Sequence, residues 1–346
     1  MKKGSIIIGL IIIAIAGLAI WHSLNGKTDV ELDGKEKLTV QLQWFDGAQF
    51  CGLYVAQEKG FFDNEDLVVE LNPVNSFTSD PIAILLDGKA DIAIATADQV
   101  LINKDKGKEI FAFGNVFNRS LACFMYKENK GIDSLSDFSG KKIAVYKKFD
   151  TENILLTLIK EKQLNISSSD IYQAGAIDAF INNEYDILGS YLHNEPIDMK
   201  LQGERVSVID PEKYGVLFYS DTYITIPSQK IGEERKKERD KLKRFIRAAN
   251  KGWEYAKNNP DEAIDIMFAK AKNLQKTETR ETKEKESLKL LIKYLGAGDN
   301  KYCSFMEKAR WDSMEKNLFD INRISQTGLV NDLCDFNLVN EAYEKE

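Results

Sequence analysis

The chain has 346 residues, 43% hydrophobic and 29% charged, which is an ordinary composition for a folded protein with more than one compact unit. Its 47 basic and 54 acidic residues give a net charge of −7, and this disfavours nucleic acid as a partner because polyanion binding needs a basic surface. Two histidines and four cysteines without CxxC spacing disfavour a zinc site. We predict no metal and no cofactor.

The first 26 residues differ in character from the rest of the chain. Lys2 and Lys3 precede a nearly continuous apolar run over residues 4–21, a pattern typical of a secretory signal or a membrane anchor. Small residues suited to cleavage lie inside the run, so both interpretations stay open. Either interpretation predicts export to the periplasm or the cell surface. The pattern leaves open whether the exported protein stays anchored in the cytoplasmic membrane. Residues 27–36 are polar and are predicted to form a linker.

From residue 37 onward, strand and helix patterns alternate. Residues 37–43 alternate apolar and polar side chains, as in a half-buried strand, and residues 48–59 have a helical pattern that ends at Gly60. Further strands are predicted at 68–71, 91–95, 110–113, 121–126, 141–146, 171–173, 185–190, 206–209 and 216–219, and helices at 81–86, 151–163 and 178–182. This alternation predicts mostly parallel sheets with helices on both faces.

The alternating pattern begins a second time near Gly131, which predicts two α/β lobes. We assign residues 37–124 to the first part of lobe 1, 125–220 to lobe 2, and 221–346 to a return into lobe 1 with C-terminal helices. Ligands of open α/β sheets bind at the carboxyl ends of strands, so the cleft between the lobes is the predicted site. The charged run 270–289 is predicted to be a solvated helix or loop.

Several segments, in order along the chain, resemble one family. They are residues 42–56, 59–62, 87–92, 116–120, 135–143, 191–196, 214–222, 251–256 and 259–263. Together they resemble the binding proteins for thiamine-pyrimidine precursors, a family related to fungal thiamine pyrimidine synthases, over roughly residues 38–268. Each segment alone is weak evidence, whereas the ordered set is specific.

The resemblance implies a type II periplasmic binding protein, an α/β clamshell of two mostly parallel sheets with flanking helices, preceded here by the N-terminal signal or membrane helix. It implies crossovers near residues 123–130 and 214–224. The implied function is the extracytoplasmic solute-binding component of an ABC transporter, with a membrane permease as partner. The implied ligand is a small heteroaromatic or amine-bearing solute, such as a thiamine pyrimidine precursor.

The sequence also departs from that family. Lys147, Lys148 and Phe149 occupy the place of a glycine-rich loop after the first strand of lobe 2, which raises the alternative of an anionic ligand. The cysteine-rich iron motif and reactive histidine of the fungal enzymes are not visible. We therefore predict no catalytic residue and a binding protein rather than an enzyme. A membrane-anchored sensory domain acting through a partner, and a pyrimidine-synthesis enzyme, are the alternatives.

Three candidate ligand contacts come from the start of lobe 1. Trp44 and Phe45 follow the first strand, where a flat heteroaromatic ring would stack on them. Packing in the lobe core is the alternative for Trp44. Gln49 begins a helix, and its amide offers both a donor and an acceptor to a ring nitrogen or amide, unless it is simply an exposed polar residue.

Glu195 is the acid singled out in lobe 2. It follows a strand and precedes a proline, so its carboxylate would accept from an exocyclic amine or pair with a cation. Arg119 would reach an anionic group or, alternatively, tie the lobes together by a salt bridge. Asp98 is a candidate contact whose alternative role is a helix cap.

Five further residues complete the predicted site. Tyr191, Tyr214 and Tyr219 are candidate cleft aromatics, and Lys147 and Phe149 lie on the loop that replaces the glycines. Of the cysteines, Cys51 and Cys123 are predicted to be buried because they lie in apolar stretches. A disulfide between Cys303 and Cys334 is left open.

Overall fold

The structure is a computed structural model that describes residues 34–147, 149–227, 232–296 and 302–344. The predicted signal or anchor, most of the predicted linker, and Lys148 lie outside the described residues. Within the ranges that are described, no helix is long and apolar enough to cross a membrane.

Ten strands form two sheets in the described part of the chain. They are β1 (Glu36–Gln41), β2 (Leu67–Asn72), β3 (Ile92–Ala95), β4 (Phe111–Asn115), β5 (Ala122–Lys127), β6 (Ile143–Val145), β7 (Ile171–Gln173), β8 (Ile187–Tyr191), β9 (Val206–Ile209) and β10 (Thr222–Thr225). The first sheet has the order β2-β1-β3-β10-β4 and the second β7-β6-β8-β5-β9. In each sheet one strand, β10 or β5, runs against the other four. The predicted pair of mostly parallel sheets is confirmed.

Helices flank both sheets. They are α1 (Cys51–Glu58), α2 (Pro81–Leu86), α3 (Ala97–Asp105), α4 (Asp150–Glu161), α5 (Ile177–Ile181), α6 (Glu195–Leu201), α7 (Glu233–Asn258), α8 (Pro260–Lys270), α9 (Glu278–Leu291), α10 (Lys308–Asp320), α11 (Val330–Leu333) and α12 (Leu338–Glu341). We call the first sheet with α1–α3 the first lobe, and the second sheet with α4–α6 the second lobe. Helices α7 and α8 pack on α1. Helix α10 contacts α3 of the first lobe and α4 of the second.

The chain passes between the lobes twice, at residues 116–121 and 210–221. The first crossing therefore lies before β5 rather than near residues 123–130. The prediction of a strand at residues 216–219 is wrong. This segment is largely buried but is not a strand. Two of its carbonyl groups form hydrogen bonds outside the sheets. Phe218 O accepts the N–H of Ser120 at 2.6 Å, and Tyr219 O accepts the N–H of Ala97 at 3.1 Å. An apolar run has the same appearance in sequence whether or not it joins a sheet.

Helices α1 and α7 cross at two glycines. A Cβ atom on Gly252 would lie 2.0 Å from the carbonyl oxygen of Gly52, and one on Gly52 would lie 2.3 Å from the ring of Trp253. These contacts are far too short for any side chain, so both positions need glycine. This crossing joins the long helix α7 to the first lobe and fixes α1, whose start lies beside the cleft.

The cysteines are free thiols, most of them buried. All four are free thiols, so Cys303 and Cys334 are not joined. Cys51 and Cys123 are fully buried, which confirms the prediction for these two. Burial raises the pKa of both thiols well above the ordinary value, because the thiolate is disfavoured away from water.

Candidate functional site

A cavity of about 350 Å³ lies between the two lobes. Its walls include loops that follow the carboxyl ends of β1, β2, β3, β6 and β8, the first turns of α5 and α6, and one face of helix α9. The lining residues are Gln43, Trp44, Phe45, Asp46, Gly47, Ala48, Gln49, Phe77, Thr96, Tyr146, Phe149, Ile177, Tyr191, His193, Asn194, Glu195, Asp198, Arg280, Lys283, Glu284 and Ser287. Strand carboxyl ends are the expected place for a ligand in this architecture.

Aromatic rings form one wall of the cavity. The ring centre of Trp44 lies 5.5 Å from that of Phe45, 5.6 Å from that of Phe77 and 5.5 Å from that of Phe149, each pair meeting edge to face. Trp44, Phe45 and Phe77 belong to the first lobe, whereas Phe149 belongs to the second. Phe77 is 73% exposed, so it marks the mouth of the cavity. Such a cluster suits a flat, apolar-faced ligand.

Glu195 places a carboxylate on the second-lobe side. It is the first residue of α6 and is 7% exposed. Its Oε2 accepts the backbone N–H of Tyr191 at 3.0 Å, and the hydroxyl of Tyr146 lies 3.5 Å from its Oε1. Burial raises the pKa of Glu195 above its ordinary value, while the Tyr191 N–H and the charge of Lys283 act in the opposite direction. Oε1 is therefore the oxygen with capacity for a ligand donor.

Two glutamines share one carboxylate on the first-lobe side. The Nε2 groups of Gln43 and Gln49 donate to Asp221 Oδ1 at 2.7 and 2.6 Å. With both amide nitrogens donating to Oδ1, the amide of Gln43 is oriented with its carbonyl oxygen away from Asp221. The carbonyl oxygen of Gln43 is buried and has no partner among the described residues. A buried acceptor at a cavity wall favours a ligand that carries an N–H or O–H donor.

His193 is neutral in this environment. Burial lowers its pKa to about 3, with a further contribution from Lys283. Its Nδ1 is buried and has no partner within the described part of the chain. A neutral imidazole carries one donor and one acceptor, so Nδ1 has hydrogen-bonding capacity that the described residues do not use.

The charged helix α9 is part of the cavity wall, and the prediction that residues 270–289 are a solvated face is wrong for this side of the helix. Lys283 is 7% exposed and Glu284 is 3% exposed. Ser287, Leu288 and Leu291 follow on the same face and are also buried. The signal in the sequence was the apolar pair Leu288 and Leu291, at helical spacing from the two charges.

Six of the eleven predicted contacts line the cavity, namely Trp44, Phe45, Gln49, Phe149, Tyr191 and Glu195. Asp98 lies deeper, within α3 rather than at its cap, and its Oδ2 accepts from Asn153 Nδ2 at 2.5 Å. Arg119 is occupied by Asp210, to which both terminal guanidinium nitrogens donate, and by Glu212 at 3.2 Å. That geometry matches the salt-bridge alternative for Arg119.

The remaining three predicted contacts also lie away from the cavity lining. Tyr219 is buried, and its hydroxyl accepts the N–H of Glu307 at 3.0 Å. Tyr214 is half-buried and packs in the core near the return crossing. Lys147 is exposed and lies outside the set of lining residues.

Comparison with known sequences assigns the chain to a family. The NMT1/THI5-like family matches residues 47–263, more than half of the chain. The chain belongs to the NMT1/THI5-like family.

Related proteins of this family differ in their named roles. The chain is 27% identical over 289 residues to the formylaminopyrimidine-binding protein of Halalkalibacterium halodurans, covering 82% of this chain and 84% of the relative. It is 22% identical over 240 residues to the 4-amino-5-hydroxymethyl-2-methylpyrimidine phosphate synthase of Legionella pneumophila, covering 67% and 73%. The relatives of this chain therefore include one named for binding and one named for synthesis.

A solved structure supports the fold. The ligand-binding component of an ABC-type import system from Staphylococcus aureus superposes with a TM-score of 0.64 and 13% identity, covering 89% of this chain and 99% of that one. The chain thus has the periplasmic-binding-protein fold. The NMT1/THI5-like match ends at residue 263, before α9 begins at Glu278.

One buried acid beside the site was not predicted from the sequence. Asp150 starts α4 in the second lobe, and its Oδ2 accepts from the hydroxyls of Ser120 at 2.6 Å and Ser220 at 2.9 Å. These serines lie on the two crossings. The hydroxyl of Tyr191 donates to its Oδ1 at 2.7 Å. Burial, together with the charge of Asp98, raises the pKa of Asp150. Tyr191 thus connects the cavity to the crossings.

Proposed function

We propose that this member of the NMT1/THI5-like family is the exported solute-binding component of an ABC-type importer, and that its ligand is a small heteroaromatic, amine-bearing solute of the thiamine-pyrimidine type. The observation that carries the proposal is the inter-lobe cavity, whose lining combines an aromatic wall with the buried carboxylate of Glu195. The name of the Halalkalibacterium relative supports the ligand class. Residues 4–21 would serve as its export signal or anchor.

The charge of the cavity wall favours an amine over an anion. Its carboxylic acids are Asp46, Glu195, Asp198 and Glu284, and its cationic side chains are Arg280 and Lys283. The acids outnumber the bases, and both bases are already paired, Arg280 with Glu284 at 2.8 Å and Lys283 with Asp198. Among the lining residues that the structure describes, an anionic solute would meet carboxylates and no unpaired cation, whereas an amine would meet an acceptor.

Binding would work by closing the lobes. Trp44 and Phe149 face the cavity from opposite lobes, so a ring that touches both has its full contact only in the closed state. A ligand shifts a two-state equilibrium only by its differential affinity for the two states, and contacts of this kind supply it. A membrane permease that recognises the closed state would then accept the loaded protein.

Binding is favoured over catalysis by the groups in the cavity. His193 has its pKa lowered to about 3 and is buried, so it is a weak proton acceptor near neutral pH. Cys51 and Cys123 are buried thiols whose raised pKa values keep them protonated, and neither lines the cavity. A thiol nucleophile needs a thiolate and access to substrate.

A thermal-shift screen of the full-length chain in detergent tests the proposal. An aminopyrimidine should raise the melting temperature, because a native-state ligand stabilises by about 2.7 kcal/mol at about a hundredfold excess over its dissociation constant. A pyrimidine without the amine is the matched control and should give a smaller shift. Flavins, sulfonates, amino acids and polyamines complete the panel. A shift with sulfonates alone would contradict the proposed ligand class.

A further inference from the structure

Helix α9 touches both lobes at the elements that present ligand contacts. It packs on α6 of the second lobe and on the short 3-10 helix Ala48–Phe50 of the first. It also lies beyond the part of the chain that matches the family.

Contacts with the second lobe surround Glu195. Lys283 Nζ donates to Asn194 Oδ1 at 2.6 Å and forms an ion pair with Asp198. Ser287, one turn further along the same face of α9, donates its hydroxyl proton to the carbonyl oxygen of His193 at 2.5 Å. Residues 193, 194 and 198 flank Glu195 on both sides, so the start of α6 is held at three points.

Contacts with the first lobe lie next to Gln49. Glu284 Oε2 accepts the backbone N–H of Ala48 at 2.7 Å. Ala48 is the first residue of the 3-10 helix that carries Gln49, and the preceding Gly47 has space for the carboxylate at 3.3 Å from where its Cβ would lie. The carboxylate of Glu284 thus fixes the turn from which Gln49 reaches Asp221.

We propose that Lys283 and Glu284 are positioning residues of the binding site, which hold Glu195 of the second lobe and Gln49 of the first in register through one helix. The inference rests on the proposed function only in taking the cavity as the binding site. Lys283 thereby holds a segment of the second lobe, and the adjacent Glu284 holds a segment of the first. Helix α9 thus fixes the spacing between Glu195 and Gln49.

Attachment of α9 to the protein does not depend on these two charges. Leu288 and Leu291 are fully buried in the core of the first lobe, and the hydroxyl of Thr277 caps the helix by accepting the N–H of Arg280 at 3.3 Å. Apolar burial of this kind provides most of the stability of a packed helix. Replacing Lys283 or Glu284 should therefore leave α9 folded while releasing the segments that it holds.

The first test needs no ligand. Amide hydrogen exchange of the full chain is compared among the parent, Lys283→Met, Glu284→Gln and two controls on the exposed side of α9, Lys289→Met and Glu286→Gln. Lys283→Met should speed exchange at residues 193–198, and Glu284→Gln at residues 48–50, because each change frees the backbone beside it. Exchange equal to that of the controls in both segments would overturn the proposal.

A second test measures affinity with an aminopyrimidine as the probe. Lys283→Met and Glu284→Gln should each weaken binding by about tenfold or more, as expected when a charge-assisted hydrogen bond that orients the site is lost. They should also reduce the preference for the amine-bearing ring over its amine-free analogue. Lys283→Arg should restore much of that preference, because a cation still reaches Asp198.

The two tests separate this inference from the proposed function. If the parent protein binds no aminopyrimidine, the proposed ligand is wrong, whereas the exchange experiment still decides whether α9 holds the two segments. If the parent binds but the two variants lose melting temperature with affinity unchanged within about twofold, the residues are structural and the positioning role is overturned.

Discussion

Trp44 and Phe149 meet edge to face across the cleft, with ring centres 5.5 Å apart and an interplanar angle of 86°. The first ring follows β1 of the first lobe, and the second precedes α4 of the second lobe. Their contact is therefore a direct measure of lobe closure, and a ligand that enters between the lobes must either separate the two rings or stack beside them.

Replacing Trp44 with alanine should weaken binding of an aromatic ligand by about tenfold or more, since both stacking and apolar burial are lost. Folding should be little affected, because Trp44 is half-buried and lies on a loop. Isothermal calorimetry with an aminopyrimidine measures the effect. Phe319→Ala, which removes an exposed aromatic ring on α10, is the control and should change nothing. Equal affinities for both variants would remove Trp44 from the site.

Changing Glu195 to glutamine should weaken an amine-bearing ligand more than an amine-free one. The carboxylate forms a charge-assisted bond that contributes about 1.5–3 kcal/mol, whereas a neutral amide forms an ordinary one. The affinity ratio for a matched pair of pyrimidines should fall by about tenfold. Equal losses for both ligands would mean that Glu195 shapes the α6 terminus without contacting the amine.

Stability should depend on pH through Asp221. Burial raises its pKa to about 7, against about 3.9 in an unfolded chain. Between these two values the native protein keeps a proton that the unfolded chain loses, so stability falls as pH rises from about 4 to about 7. In Asp221→Asn the side chain cannot ionise, and its Oδ1 can still accept the amide N–H groups of Gln43 and Gln49.

The stability of Asp221→Asn relative to the parent should therefore increase as pH rises. Its melting temperature should be about 4 °C higher than that of the parent at about pH 8 and similar at about pH 4. Asp261→Asn, which alters a highly exposed acid on α8, is the control and should give a constant difference. A parallel pH profile for parent and Asp221→Asn would show that the raised pKa does not contribute to stability.

Gly52→Ala should destabilise the fold by about 1–3 kcal/mol or prevent it, because the new methyl group would overlap the Trp253 ring at the crossing of α1 and α7. Urea unfolding of the two proteins measures the loss. Gly175→Ala is the matched control, since no atom lies within 4 Å of where its Cβ would be. A similar small effect at both positions would mean that the helices separate easily.

Local pattern in the sequence was enough to predict most of the fold. Helix α2 begins and ends where predicted, since Pro81 follows Asp80, whose side chain accepts from the N–H groups of Ile82 and Ala83. The strand at 206–209 is likewise found at its predicted bounds. Both features depend on neighbours in sequence. The false strand at 216–219 shows the limit, because its hydrogen-bond partners are decided by the meeting of two crossings.

Prediction of the site was partial for the same reason. Trp44, Gln49 and Glu195 follow strands, so their place at the cavity could be inferred from order along the chain. The role of Lys283 could not, because its burial depends on Asn194 and Asp198, which lie far away in sequence. A charged pattern indicates solvent until partners for the charges are known.

The carboxylate of Asp150 has a consequence for motion. Its Oδ2 accepts from Ser120 on one crossing and from Ser220 on the other, and the two hydroxyl oxygens lie 2.8 Å apart. Neither crossing can bend on its own without losing a bond to the same oxygen atom. We therefore expect the two connections to act as one coupled hinge at the start of α4, so that the lobes rotate about a single axis when they open.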